Sequence, residues 1–398
     1  MLPASVFIER RKKAIQAVKG VPLFITAFEA VQQTNDAAAP FIQESHFFWL
    51  TGITEPGWQL VVEPDKSTLL APGKSDIQRI FDGGLSADTA KQISGVDEVI
   101  EVAVQDNLLT ELKSSYQTIY TIFKHPHSQY FDFALNPATT TLKKKLMKHF
   151  KTVEDCRVQL ARLKAIKTNQ EIDLIKQAIA ISVKGFEALK TALPDSKFEY
   201  QAEAELNYVF RHEGAEGHAY QPIVATGKNA CTLHYIENND TLPENGLLLV
   251  DAGARVGGYA ADITRTYAIG APGPREKAVH TEVEKAHNAI ISLIKPGVSF
   301  KKYHTEVDRI MHQALANLDL LKTNEDYRTY FPHAISHGLG IDVHDSLGGP
   351  ATFLAGMVLT VEPGIYIPEE GIGVRIEDDI LITETGHENL SQALPTSL

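Results

Sequence analysis

Short apolar runs alternate with amphipathic stretches through the first part of the chain. "ERRKKAIQAVKG" gathers its apolar positions on one helical face and closes at Gly20, and the following "VPLFITAF" reads as a buried strand. "HFFWLTGI", "WQLVVEP" and "STLLAPG" are apolar runs punctuated by Gly and Pro, and each is predicted as a strand. "TIYTIFK" adds another strand and "TTTLKKKLMKHF" another helix. The pattern predicts an α/β domain of roughly 150 residues, an ordinary domain size.

The rhythm changes near "DCRVQLARLKAIKTNQEIDLIKQAIAISVKGFEALKTAL". Thr168 and Glu171 form a capping box, and Ile172, Ile175, Ile179, Val183 and Phe186 then recur at helical spacing. "YQAEAELNYVFRHEG" and "PREKAVHTEVEKAHNAIISLI" predict further helices. "GLLLVDAGARVGGYAADITRTYAIG" reads as two strands joined by a Gly-rich turn, and "GMVLTVEPGIYI" and "GIGVRIEDDILITETG" as two more apolar runs. No repeat of solenoid period is present. Two domains are expected, 1–158 and 159–398, the second an α+β domain on a strongly bent antiparallel sheet whose Gly-rich turns supply the bends.

Acids break the apolar pattern of that second domain. Asp251 follows "LLLV", Asp262 lies in "YAADITRTY", Glu362 ends "MVLTV", and Glu377 sits in "GVRIEDDILI" on the strand face of Arg375. Asp is poor in strands, and buried carboxylates are rarely tolerated alone. Singly, each acid reads as a salt bridge or a turn residue, Asp262 with Arg265 and Glu377 with Arg375. A hairpin about Gly253–Gly258 would instead turn Asp251 and Asp262 to one site. Four carboxylates there would repel one another and climb in pKa unless cations neutralise them. Two divalent ions would do so and polarise a bridging water. One neutral imidazole among carboxylate oxygens suits Mn, Co, Fe or Zn better than Ca.

"YFPHAISHGLGIDVHD" holds His333, His337 and His344. His333 and His337 are four apart, the spacing of a helical zinc pair, but Ala334 follows the first where HExxH requires Glu. Composition narrows the alternatives. The chain has 398 residues, a formal charge of −12 and 43% hydrophobic residues, which describes a soluble protein of more than one domain without a basic face for nucleic acid or an anionic membrane. Cys156 and Cys231 form no CxxC pair, no apolar run is long enough to span a bilayer, and the N-terminus lacks a signal-peptide pattern, so a cytoplasmic location is expected. "GGLSADTAKQ" lacks phosphate-loop spacing and "GARVGG" lacks the dinucleotide arrangement. A Cys231–His234 nucleophile would leave the four acids unexplained.

Asp251, Asp262, His337, Glu362 and Glu377, within "VDAG", "ADITRT", "SHGLGIDVHD", "TVEPGIYI" and "GVRIEDDILIT", resemble the pita-bread metallopeptidases of family M24. The resemblance runs from about residue 160 to 390 and is nearest the Xaa-Pro aminopeptidase (aminopeptidase P) branch, with prolidase close behind. "FIQESHFFWLTGITEPG" is similar to a segment of that branch's N-terminal domain. Two positions depart from it: Ile42 replaces a frequent Arg, and "FDGGLS" carries Phe81 without the usual arginines.

The resemblance implies a dinuclear exopeptidase in which a metal-bridged hydroxide attacks the Xaa-Pro bond. Asp262 and Glu377 would bridge two ions, most often Mn. Asp251 would complete one coordination sphere, and His337 and Glu362 the other. Glu362 would shuttle the proton with His234 as a relay, His234 and His344 would contact the scissile region, and His333 would line the proline pocket. Arg375 with Tyr220 would orient Asp251. Peptides with proline second are the implied substrates, and a dimer or tetramer the implied assembly. A prolidase is the alternative. A creatinase-like hydrolase, a lyase or a binding protein on the same scaffold is more remote, since such proteins lose the ligands kept here.

Overall fold

The computed structural model describes residues 2–123, 133–323 and 325–398. The chain divides into two units, Met1–Leu163 and Lys164–Leu398.

In the first unit the strands β1 (Leu23–Thr26), β2 (Gln59–Val62), β3 (Ser67–Ala71), β4 (Glu98–Glu101), β5 (Thr118–Thr121) and β6 (Thr152–Asp155) form one sheet in the order β4-β3-β2-β1-β5-β6. It is mixed: β1, β2 and β3 pair antiparallel, while β4, β5 and β6 add parallel. The predicted strand "TIYTIFK" is β5, and its last residue, Lys124, lies outside the described residues. Helices Gln105–Ser115 and Ala138–His149 contribute Leu109, Leu112, Leu142 and Leu146 to a core with Phe24, Val61, Leu70 and Ile119.

"HFFWLTGI" is the correction in this unit: Ser45–Thr51 is a buried helix, not a strand. A short continuous apolar run carries no period that tells the two apart. The deciding contacts lie at its ends. The Glu44 carboxylate accepts from the Phe47 amide, and the chain stops at Gly52 with φ 70°. The buried Arg11 guanidinium then donates to the carbonyls of Leu50, Ser94 and Gly95, satisfying the C-terminal ends of two helices at once.

In the second unit every pairing of β7 (Gly217–His218), β8 (Ile223–Thr226), β9 (Gly246–Ala252), β10 (Ala254–Val256), β11 (Tyr259–Ala260), β12 (Ile263–Ile269), β13 (Val358–Val361), β14 (Gly364–Ile367), β15 (Ile372–Arg375), β16 (Asp378–Ile382) and β17 (His387–Asn389) is antiparallel. The helix predicted from Thr168 spans Asn169–Ala192 with its capping box formed, and Ile175, Ile179, Val183 and Phe186 are buried on one face. Helices Pro274–Ile291 and Phe300–Asn317 pack Val279, Val283, Ile290, Val307 and Met311 into the core beneath β13, β14 and β15. No helix among the described residues is long and apolar enough to cross a membrane.

The predicted pair of strands around Gly253 is in fact four. β9 and β12 pair in register Asp251↔Thr264, and the chain between them folds out as the β10–β11 hairpin. Gly253 permits the bend, because a Cβ there would stand 1.7 Å from the Ala261 carbonyl oxygen. The later runs are broken as well, β13 from β14 at Glu362–Pro363 and β15 from β16 at Ile376–Glu377. Asp251 is therefore the one of the four acids inside a strand.

Two buried charges tie this unit together. Arg265 donates to the carbonyls of Thr264, Glu377, Leu394 and Pro395 and to the Asp378 carboxylate 2.6 Å away, so β12, β16 and the C-terminal segment share one guanidinium. Glu199, fully buried at the start of helix Glu199–His212, accepts from the Thr226 amide and hydroxyl, the Tyr235 hydroxyl and the Asp240 amide at 2.8–3.0 Å. Those partners bracket the turn that carries His234. Glu199→Ala strands these donors in an apolar setting and should cost on the order of 3 kcal/mol, read as a lower urea midpoint with unchanged m-value.

Candidate metal centre

Asp251 lies near the end of β9, the middle strand of the β12-β9-β8 sheet, and its oxygens are both engaged. Tyr220 donates its hydroxyl to Oδ1 at 2.5 Å and Arg375 donates to Oδ2 at 2.6 Å. Asp262 sits just before β12 and Glu377 in the break before β16, joined to Thr264 by a single backbone bridge. Arg375 and Glu377 thus do not share one continuous strand, yet both reach Thr264. Its hydroxyl donates to Glu377 Oε2 at 2.7 Å and accepts from Arg375 Nε at 3.1 Å.

One oxygen each of Asp262 and Glu377 and one His337 nitrogen lie within 4.8 Å of one another. His337 Nε2 is 3.4 Å from Asp262 Oδ2 and 3.7 Å from Glu362 Oε1. Its Nδ1 faces the Gly338 carbonyl at 3.0 Å, and since a carbonyl only accepts, Nδ1 carries a proton, and Nε2 is the nitrogen that would serve as a ligand once an ion displaces its own proton. The predicted five residues therefore converge, Asp262, His337 and Glu377 most tightly, with Glu362 beside His337 and Asp251 across Thr264.

Burial and mutual repulsion set the electrostatics. Burial pushes the Asp251 carboxyl up, against Arg375 and with Asp262, and pushes Glu377 well above the carboxylate range with Asp262 and Glu362 adding to it. Glu362 is pushed up to about 7, first by burial, with His337 and Arg375 opposing. Burial would lower His337, but the Asp262 carboxylate and the charge of Glu362 outweigh it and raise the imidazole to about 9. A buried cluster of acids whose lowest-energy answer is to keep protons is one that divalent cations would relieve, and the donor set of carboxylates with one imidazole fits such ions.

The other predicted histidines surround this cluster. His333 Nδ1 donates to the Ala334 carbonyl and Nε2 accepts from the Tyr366 hydroxyl at 2.9 Å, so neither nitrogen is spare, and burial pulls the ring down to about 4. His344 stacks edge-on against His337 with ring centroids 4.3 Å apart. His234 is exposed on a turn after the short helical segment Gly227–Cys231. It lies close enough to add electrostatically to the lowering that burial causes at His333 and His344.

Sequence reasoning missed three supports. Thr264 orients Glu377, and its signal was its in-phase position two residues after Asp262. Tyr366 accepts from Arg375 at 2.8 Å and links it to His333, a polar tip inside the apolar run "GIYI". Asp379 accepts the Asp262 amide at 3.1 Å and so fixes the ligand's backbone, and burial with the Asp262 charge pushes its carboxyl well up.

Residues 173–384 match metallopeptidase family M24, and residues 7–120 match the aminopeptidase P N-terminal domain. The chain belongs to metallopeptidase family M24. Its second unit is accordingly a pita-bread domain, preceded by an aminopeptidase P type N-terminal domain, and M24 membership carries with it divalent metal ions. The chain is similar to the Xaa-Pro aminopeptidase of Haemophilus influenzae, 33% identical over 100% of this chain and 96% of the relative. It is also similar to the solved structure of aminopeptidase P from E. coli with the inhibitor Pro-Leu, at 30% identity and TM-score 0.87, covering 100% of this chain and 96% of that one. A zinc-substituted E. coli aminopeptidase P in complex with product gives 30% identity and TM-score 0.86, with 100% and 96% covered.

The raised Glu362 has a consequence in metal-free protein. It holds a proton where the unfolded chain has released it, so its contribution to stability falls as pH rises from about 4.5 to about 7. Glu362→Gln imitates the protonated acid and should gain on wild type across that window, then hold a constant lead. Urea unfolding of both proteins in chelator measures this; a flat or shrinking lead contradicts the repelling cluster.

Proposed function

We propose that this chain is a dinuclear-metal Xaa-Pro aminopeptidase, releasing the N-terminal residue from peptides with proline second. The observation that carries the reading is the grouping of Asp262, His337 and Glu377 within 4.8 Å with Glu362 beside His337, in a chain similar to Xaa-Pro aminopeptidases along its whole length. Asp262 and Glu377 would be shared by both ions, Asp251 would complete one, and His337 and Glu362 the other. Bound there, two divalent ions supply Lewis-acid polarisation of a water and of the scissile carbonyl. The oxygen-rich donor set favours Mn, with Co, Zn or Fe as substitutes.

The chain's own groups do the rest. Arg375 and Tyr220 oppose the protonation that burial favours at Asp251 and keep it aimed, so that its geometry is set before substrate arrives. Glu362 takes the proton from the attacking water and hands it to the proline nitrogen, which must be protonated to leave. A carboxylate can accept that proton and, as the acid, release it to the leaving nitrogen. His344 and His234 donate to the peptide carbonyl as it gains charge. His333 has no free nitrogen, and with Phe331 and Tyr366 packed edge-on at 5.1 and 5.5 Å it forms an aromatic wall for the proline ring. Residues 1–158 and 159–398 would be the two domains, in a cytoplasmic homo-oligomer, a dimer or tetramer.

Glu362→Ala should lower kcat about a thousandfold while the protein keeps its fold by circular dichroism. A peptide-length series assayed with Mn, Co and Zn separates the exopeptidase from a prolidase. Cleavage of Arg-Pro-Pro at least as fast as Gly-Pro is expected, and activity confined to the dipeptide would overturn the aminopeptidase assignment.

A further inference from the structure

His344 reaches His337 with no hydrogen bond to its own imidazole among the described residues. Its placement must therefore come from the backbone of the loop 338–345. That loop folds back on itself, Asp345 donating its amide to the Gly338 carbonyl at 2.8 Å. Ala260 and Arg255 hold the Gly340 and Ile341 carbonyls at 2.9 and 2.8 Å.

The remaining anchors are charged. Asp342 and Asp345 flank His344, and both are gripped from below by lysines of the segment leading into helix Asn169–Ala192. Lys164 Nζ is 3.2 Å from Asp342 Oδ2 and 3.3 Å from Asp345 Oδ1, and Lys167 Nζ is 3.4 Å from Asp345 Oδ2. The side chains of Lys164, Lys167 and Asp345 are 3%, 1% and 4% exposed, so these charges have little water to fall back on. The glycines of "GLG" clear the way: a Cβ on Gly338 would stand 2.6 Å from the Asp345 carbonyl oxygen, and one on Gly340 would stand 2.5 Å from Asp345 Oδ2. Burying two ammonium groups under a loop is costly, and a stable fold alone could be had with apolar packing of the same volume. What the charges add is a fixed position for the loop.

We infer that Lys164 and Lys167 are positioning residues for catalysis, bracing Asp342 and Asp345 so that His344 is delivered to the peptide carbonyl. The inference rests on the reading of His344 given above. Removing either ammonium leaves a buried or half-braced carboxylate, which the loop relieves by moving; a displacement of about 1 Å at a group that stabilises the transition state costs up to about a hundredfold in rate.

The test is a double-mutant cycle on the metal-loaded full chain, with hydrogen exchange of the amides of residues 338–346 measured alongside. Lys167→Met should lower kcat tenfold or more with KM changed little, and should speed exchange in the loop while bound metal stays at the wild-type level. In the His344→Ala background the same substitution should change kcat by less than twofold. Effects that multiply across the cycle overturn the inference, as does loop exchange at the wild-type rate in Lys167→Met. Wild-type kcat in His344→Ala alone overturns the role given to that histidine, while the exchange measurement still judges the brace. Lys164→Met, which leaves Asp345 paired with Lys167, carries the same cycle if Lys167→Met does not fold.

Discussion

Four carboxylates cannot stay ionised side by side in a dry cleft unless positive charge is built in or bound, and the second unit is organised around that constraint. One acid, Asp251, is answered by the protein itself through Arg375. The other three are left facing one another and His337, Glu377 held by the Thr264 hydroxyl, Asp262 by its backbone amide on Asp379, and Glu362 beside His337. The fold thus compensates only part of its own charge. The uncompensated remainder is what gives the centre its appetite for cations.

The site is also wired outward. From Asp251 a chain of contacts runs through Arg375 to the Tyr366 hydroxyl and on to His333, which ends on the Ala334 carbonyl. Each member is both donor and acceptor, or bears a fixed charge, so the orientation of the aromatic wall follows from that of the ligand. Such a continuous path lets the substrate pocket and the metal side be tuned together rather than independently.

Much of this was legible in residue order, and what was not has physical reasons. The acids stood out because Asp and Glu are out of place in apolar runs, and that signal survives even though Asp262, Glu362 and Glu377 turn out to occupy the breaks between strands. The helix Thr168 opens was marked by its capping box and by an unbroken period. The helix Ser45–Thr51 was hidden because seven mostly apolar residues carry no period. Its identity is set by Glu44, Gly52 and Arg11, the last from a remote part of the chain. Thr264 and Tyr366 look like ordinary strand residues until the partners of their hydroxyls are known. Lys167 and Asp345 meet across 178 positions with the typical look of surface charge, and only burial shows otherwise.

Arg265 bears on the order in which the chain can be finished. Its acceptors include the carbonyls of Leu394 and Pro395, which leave the ribosome 129 and 130 residues after it. Until they arrive the guanidinium lacks two of its buried partners, and the Glu377 carbonyl it also holds lacks a settled neighbour. The final form of the centre therefore waits on a segment made well after its first ligands. A chain that holds all five candidate ligands but not yet Leu394 and Pro395 is not a finished metal trap, which makes ion capture a property of the folded unit.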